Sequence, residues 1–202
     1  MSETQGEDRV ADAEVWEGWH FLPDDGRLWG GGELPESRRT KVEAGATYRV
    51  DGAIILCERG LHASRRAIDA LRYAPETNGA VVCRVRLGGT IVEGNDKACA
   101  SERTVLWMAD ATRTLHEFAI WCAEGALKTA TVTDERCWGA LEAKRRWLDG
   151  QATNDELAAA GYAAGDAAWD AAWDAEIEWQ SQRLTERLLS LEPRPAGEGV
   201  GE

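Results

Sequence analysis

Ile54-Ile55-Leu56-Cys57-Glu58-Arg59-Gly60-Leu61-His62-Ala63-Ser64 is the stretch on which the reading of this chain turns. An apolar run stops at a charged pair, a glycine turns the backbone, and a histidine precedes a helix signal. The stretch reads as the end of a strand joined to the start of a helix. Gly60 must reverse the chain within two residues, so a positive φ is expected there. Cys57 reads as a buried strand residue and His62 as a side chain that hydrogen-bonds the turn. Cys57, Gly60 and His62 together form the structural motif of the region. The same pair of reactive groups also suits a thiol nucleophile or a metal site. Zinc needs four ligands, however, and no CxxC or HxxxH pair is present, so no metal is expected. A Cys–His nucleophile would need an orienting group and an oxyanion site, and the sequence offers neither.

Outward from this stretch, two β-prone runs at 47–50 and 53–57 flank Asp51-Gly52, the pattern of a hairpin. Ser64 reads as an N-cap for a short helix over 65–74 that places Ile68 and Leu71 inward and ends at Pro75. Residues 80–87 alternate, with Val81, Cys83, Val85 and Leu87 on one face and Arg84 and Arg86 on the other. Gly88-Gly89 reads as a turn, residues 93–96 as another, and 104–108 as a last strand. Upstream, Trp16, Trp19, His20, Phe21 and Leu22 form an aromatic entry to the fold, Asp24-Asp25-Gly26 reads as a turn, and Gly30-Gly31-Gly32 as a loop.

After about residue 110 the apolar period becomes helical. Leu115, Phe118, Ala119, Cys122 and Ala126 share one face, and Trp138, Leu141, Arg145 and Leu148 another. Thr153-Asn154-Asp155-Glu156 is a capping box that opens an Ala-rich helix, with a break or kink expected near Gly161 or Gly165. A long final helix is expected over 166–191. The fold class expected is α+β: a small, mostly antiparallel sheet with one or two helices, followed by an all-α region. The domains expected are an acidic, disordered tail at 1–14, an α+β unit at 15–114, a helical unit at 115–191 and a tail at 192–202.

Charge is unevenly placed on a chain whose net charge is -13. Residues 15–114 carry 14 acids and 14 bases, whereas residues 115–191 carry 14 acids and seven bases. A nucleic-acid binder needs a basic footprint, so direct nucleic-acid binding is not expected. No apolar run approaches the roughly 20 residues that span a bilayer, so no membrane association is expected either. Five irregularly spaced cysteines suit a reducing, cytoplasmic setting. Ten tryptophans against two phenylalanines suggest that some indoles serve a contact surface. In the last helix Ala-Ala-Trp-Asp occurs twice, at 167–170 and 171–174. The repeat stacks Trp169 on Trp173 and aligns Asp166, Asp170, Asp174 and Glu178 at roughly 5–6 Å spacing. These six residues are the expected partner-binding face.

Three resemblances accompany these readings. Residues 49 to about 108 resemble an uncharacterised domain found mainly in bacteriophage and prophage proteins. The resemblance rests on Asp51-Gly52, Leu56-Cys57-Glu58-Arg59-Gly60-Leu61-His62-Ala63, Arg84-Val85, Leu87-Gly88 and Gly94-Asn95-Asp96-Lys97. Leu61 stands where that family usually has Phe, and Ser64 where a second cysteine often follows. It implies a mobile-element origin. Residues 115–189, with Trp121-Cys122-Ala123-Glu124, are similar to helical regions of immunity-like bacterial proteins. Finally, Gly60-Leu61-His62-Ala63-Ser64, a helix with Ala70 and Tyr73-Ala74, and the strand over 81–87 resemble the middle of ADP-ribosyltransferase folds. That resemblance implies a site of His20, Ser64, Tyr73 and Glu102, with His20 as the early nucleotide-binding residue, Glu102 as the late catalytic acid and NAD as substrate.

The function expected first is non-enzymatic. An acidic phage or mobile-element protein would dock a basic host protein, for example by inhibiting a nucleic-acid-binding defence protein, and would need no cofactor. The alternative is the NAD-using transferase.

Overall fold

The alternation over 80–87 does become a strand, and a long one. In the computed structural model, residues 15–28, 39–74, 79–168 and 177–191 are described, with the side chains of 165–168 and 177–179 excepted. Strand β4 (Ala80–Glu93) pairs antiparallel with β5 (Ala98–Asp110), and Gly94 N–H closes the connecting turn on the Lys97 carbonyl at 2.8 Å. β1 (Glu17–Pro23) lies against the other edge of β4, and β2 (Thr47–Arg49) and β3 (Leu61–Ala63) each pair with a different part of β5.

Two irregularities bend the β4–β5 hairpin, between Arg84 and Val85 and between Gly88 and Ile91. Gly88-Gly89 is therefore not the expected turn. It is an interruption inside a continuous strand, where Gly89 takes φ +68°. The bend lets the far end of β5 carry β3 back toward β1, where Trp19 and Ser64 exchange backbone hydrogen bonds of 2.8 and 3.0 Å. The path β1–β4–β5–β3 thus returns to β1, and the strands enclose a space.

The Asp51-Gly52 hairpin does not form. Gly52 does take a positive φ, +91°, but residues 47–49 pair with β5 rather than with 53–57. Residues 55–59 instead wind into a tight loop in which Ile55 and Arg59 exchange backbone bonds of 2.8 Å each. Cys57 is therefore an exposed loop residue with φ +66°, not a buried strand residue. Ser64 is committed to Trp19 and caps nothing, and the helix α1 is only Ala67–Leu71, with Arg66 at its N-cap position.

The helical half follows its apolar period: α2 (Thr112–Thr129), α3 (Glu135–Leu148), α4 (Asn154–Ala168) and α5 (Ile177–Leu189), with no strand among the described residues from 115 to 191. Asp134 caps α3, and Gly150 stops it with φ +69°. The capping box of α4 is real: Thr153 N–H donates to Glu156 Oε2 at 2.7 Å and Glu156 N–H donates to Thr153 Oγ1 at 3.2 Å. The helix does not break there, since α4 runs past Gly161 and Gly165 to Ala168. Residues 169–176, in the middle of the expected long helix, lie outside the described residues, as do 1–14, Gly30-Gly31-Gly32, Pro75 and 192–202.

The bent sheet has two apolar faces. One holds Trp16, Val81, Cys83, Val85, Leu87, Val105 and Met108. On the other, Trp19, Phe21, Ala67, Ala70 and Val82 meet Phe118 of α2 and Leu184 and Leu188 of α5. Each such Leu or Phe contributes about 1.5–3 kcal/mol by leaving water. Two polar links reinforce the α5 contact: Arg66 Nε donates to Ser181 Oγ at 3.3 Å, and Arg187 pairs with Glu117 of α2 at 3.1 Å. No helix among the described residues is long and apolar enough to cross a membrane.

Candidate functional site

The space enclosed by β1, β3, α1 and β5 is a cavity of about 450 Å³. That size and its largely apolar lining suit a small-molecule pocket. Trp19 and Phe21 come from β1, Leu61 and Ala63 from β3, and Ala70 from α1. The polar groups on its wall are His20, Cys57, His62, Ser64, Tyr73, Lys97 and Arg103. Two are arginine or lysine, and no Asp or Glu lines the cavity among the described residues.

Arg103 is the most unusual group. It lies opposite Leu87 on β4 and Tyr48 on β2, so it shares the inward face of the sheet with Val85 and Val105. Only 1% of it is exposed. Its Nη1 donates to the His62 carbonyl at 2.7 Å, while Nε and Nη2 have no hydrogen-bond partner among the described residues. Burial pushes its pKa down to about 10, and the groups that oppose the drop, Cys83 and Tyr48, are not carboxylates. Buried charges are normally paired, because desolvating one costs several kcal/mol otherwise.

His62 is occupied by its own loop. Its Nε2 accepts from the Cys57 backbone N–H at 3.1 Å, and the Gly60 carbonyl is its other backbone partner. Burial, Lys97 and Arg103 all depress its pKa. The ring therefore spans both ends of the 57–60 loop as a neutral imidazole. Cys57 meets His62 through its amide, so no thiol–imidazole pair forms there. Gly60 takes φ +147°, and a Cβ on it would lie 2.9 Å from Cys99 Cβ.

At the mouth, Lys97 sits 3.9 Å from the centre of the Tyr73 ring and within hydrogen-bonding reach of the Cys57 and Tyr73 side chains. Tyr73 donates to Asp96 Oδ2 at 2.6 Å, and that carboxylate raises the phenol's pKa. Deeper in, burial drives His20 well below the ordinary histidine range, and Arg103 and His62 push the same way. His20 is thus a neutral donor and acceptor. Burial also raises the Cys99 thiol.

Of the residues implied by the transferase resemblance, His20, Ser64 and Tyr73 come together on this cavity. Glu102 does not line it; its carboxylate pairs with Arg49 at 3.1 Å. Asp170, Asp174, Trp169 and Trp173 lie outside the described residues, as do the side chains of Asp166 and Glu178. No group of three or more His, Cys, Asp or Glu side chains among the described residues could hold a metal ion. Sequence reasoning missed Arg103 and Lys97. The signal for Arg103 was its two-residue spacing from Val105, which puts a cation on an apolar strand face.

Residues 36–117 match a family model described as a domain of unknown function, DUF7666. The match takes in β2 to β5 and the cavity groups Cys57, Gly60, His62, Ser64, Tyr73, Lys97 and Arg103, whereas the wall formed by β1 lies before it. No curated protein and no solved structure matches the chain.

Proposed function

We propose that this protein binds a small nucleotide-type ligand in the cavity between β1, β3 and α1. The observation that carries the reading is the convergence of His20, Ser64 and Tyr73 on one cavity of about 450 Å³. The transferase resemblance gives His20 to the nucleotide and puts Ser64 and Tyr73 in the same site. Trp19 and Tyr73 offer aromatic surface for a planar base, and neutral His20 and the Ser64 hydroxyl offer polar recognition. The reading is one of binding. Glu102, engaged by Arg49, supplies no acid to the cavity, so the transfer step of the resemblance has no support from this geometry.

Isothermal calorimetry of the full chain with NAD, nicotinamide mononucleotide and adenosine tests this. At least one should bind saturably at one site per chain, and Tyr73→Ala, on the exposed rim, should weaken that binding. Absence of heat from all three at millimolar concentration would overturn the reading.

A second reading rests on the sequence charge. Residues 147–182 contain no base after Trp147, so Asp166, Asp170, Asp174 and Glu178 have no cation on their own stretch of sequence to offset them. In this reading an acidic protein of phage or mobile-element origin docks a basic host protein through that line, with Trp169 or Trp173 as anchor. Changing Asp166, Asp170 and Asp174 together to Asn should weaken a low-salt complex with a basic partner captured from host lysate. Unchanged affinity would remove this reading.

A further inference from the structure

We propose that Arg103 is an anion seat: its Nε and Nη2 edge takes the two oxygens of a phosphate or carboxylate group carried by the ligand. The inference rests on the ligand-binding reading of the cavity and adds the charge that the ligand must bear. Three observations support it. The guanidinium is fixed, because Nη1 is held by the His62 carbonyl at 2.7 Å. The two donors left without a partner, Nε and Nη2, are adjacent and coplanar, the geometry that matches a two-oxygen anion. The cavity wall holds Lys97 as well as Arg103 and no carboxylate among the described residues, although the chain as a whole carries -13. A cavity of opposite sign to the molecule around it selects an anion at short range.

A purely structural arginine would be expected to spend all its donors on carbonyls or carboxylates of the fold. Arg187, by comparison, leaves only Nε without a partner and ion-pairs with Glu117. Arg103 has no such pair among the described residues. Tyr73 is occupied by Asp96 and His62 by its loop, so neither competes for the anion. Neutral His20 can add a hydrogen bond without a charge of its own.

The test uses matched pairs of probes on the full chain: AMP with adenosine, and benzoate with benzamide. Calorimetry and thermal shift are read for the parent, Arg103→Met and Arg103→Lys. In the parent, at least one anionic probe should bind tenfold or more tightly than its neutral twin. The AMP pair reports a phosphate, the benzoate pair a carboxylate. Arg103→Met should collapse the gap, and Arg103→Lys should keep part of it. Should Arg103→Met not fold, the parent comparison stands alone. Equal affinities within both pairs would overturn the anion seat yet leave the cavity reading intact. Absence of binding by all four probes would overturn both. A gap that survives in Arg103→Met would place the anion elsewhere and overturn the assignment.

Discussion

Gly60→Ala perturbs a backbone position in the cavity wall. Gly60 has φ +147°, a conformation that an L side chain adopts only under strain of roughly 1–3 kcal/mol. The added methyl would lie 2.9 Å from Cys99 Cβ, 3.2 Å from Cys99 Sγ and 3.2 Å from Ile54 Cγ2. Neither Cβ nor the loop behind Ile54 is the loose end of a long side chain, so the overlap adds about 1–3 kcal/mol of overpacking. The expected loss is thus about 2–6 kcal/mol, against roughly 0.5 kcal/mol for an ordinary surface change. Urea unfolding followed by tryptophan fluorescence measures it. The two contributions separate in a double-mutant cycle with Cys99→Gly, which removes the atom that the methyl strikes. In that background the backbone cost and the milder Ile54 contact should remain, so the coupling reports the Cys99 overlap and should be about 1–3 kcal/mol. A Gly60→Ala protein within 0.5 kcal/mol of its parent, or a cycle with no coupling, would refute the reasoning.

Leu184→Ala, which empties a fully buried position between α5 and the sheet, should cost about 2–5 kcal/mol by urea unfolding. A loss below about 1 kcal/mol would mean that α5 does not share that core. Asp134 caps α3 and is held at about 2 by hydrogen bonds and charge from Arg136. Its folded pKa is depressed, so the stabilisation it gives is complete above the ordinary aspartate value of about 4 and is lost as pH falls through about 2. An NMR titration should find this carboxyl still ionised at pH 3, and a midpoint near 4 would contradict the cap geometry.

How much of this was legible in the sequence depended on whether the signal was local. The alternation of Val81, Cys83, Val85 and Leu87 and the helical periods after residue 110 are local patterns, and they hold as elements wherever the chain is described, although in α2 Ala119 is exposed and Ile120 and Leu127 are buried. So did the capping box at Thr153, because its partners lie within one turn. The Asp51-Gly52 signal was read correctly as a turn and wrongly as a hairpin. A turn fixes where the chain reverses, whereas the strand that residues 47–49 join is decided by β5, more than fifty positions away. Gly88-Gly89 misled for a related reason: a bulge and a turn both recruit glycine at positive φ, and only the register of β5 distinguishes them. Cys57 belonged to an apolar run and looked like a buried strand residue, yet the 55–59 loop turns it outward. In the cavity, His20, Ser64 and Tyr73 were reachable by resemblance. Arg103 was not, because its isolation follows from ring closure through Trp19 and Ser64, which no local pattern encodes.

The Arg103 side chain can be observed directly. In a nitrogen–proton correlation spectrum, one arginine Nε–H resonance should vanish in Arg103→Met and so be assigned. Saturating AMP or benzoate, whichever anion the chain binds, should move that resonance to lower field and slow its exchange with water, as a new charge-assisted hydrogen bond requires. If both anions leave it unmoved, or move only the resonances of exposed arginines, then the buried cation does not hold the ligand and the central claim fails.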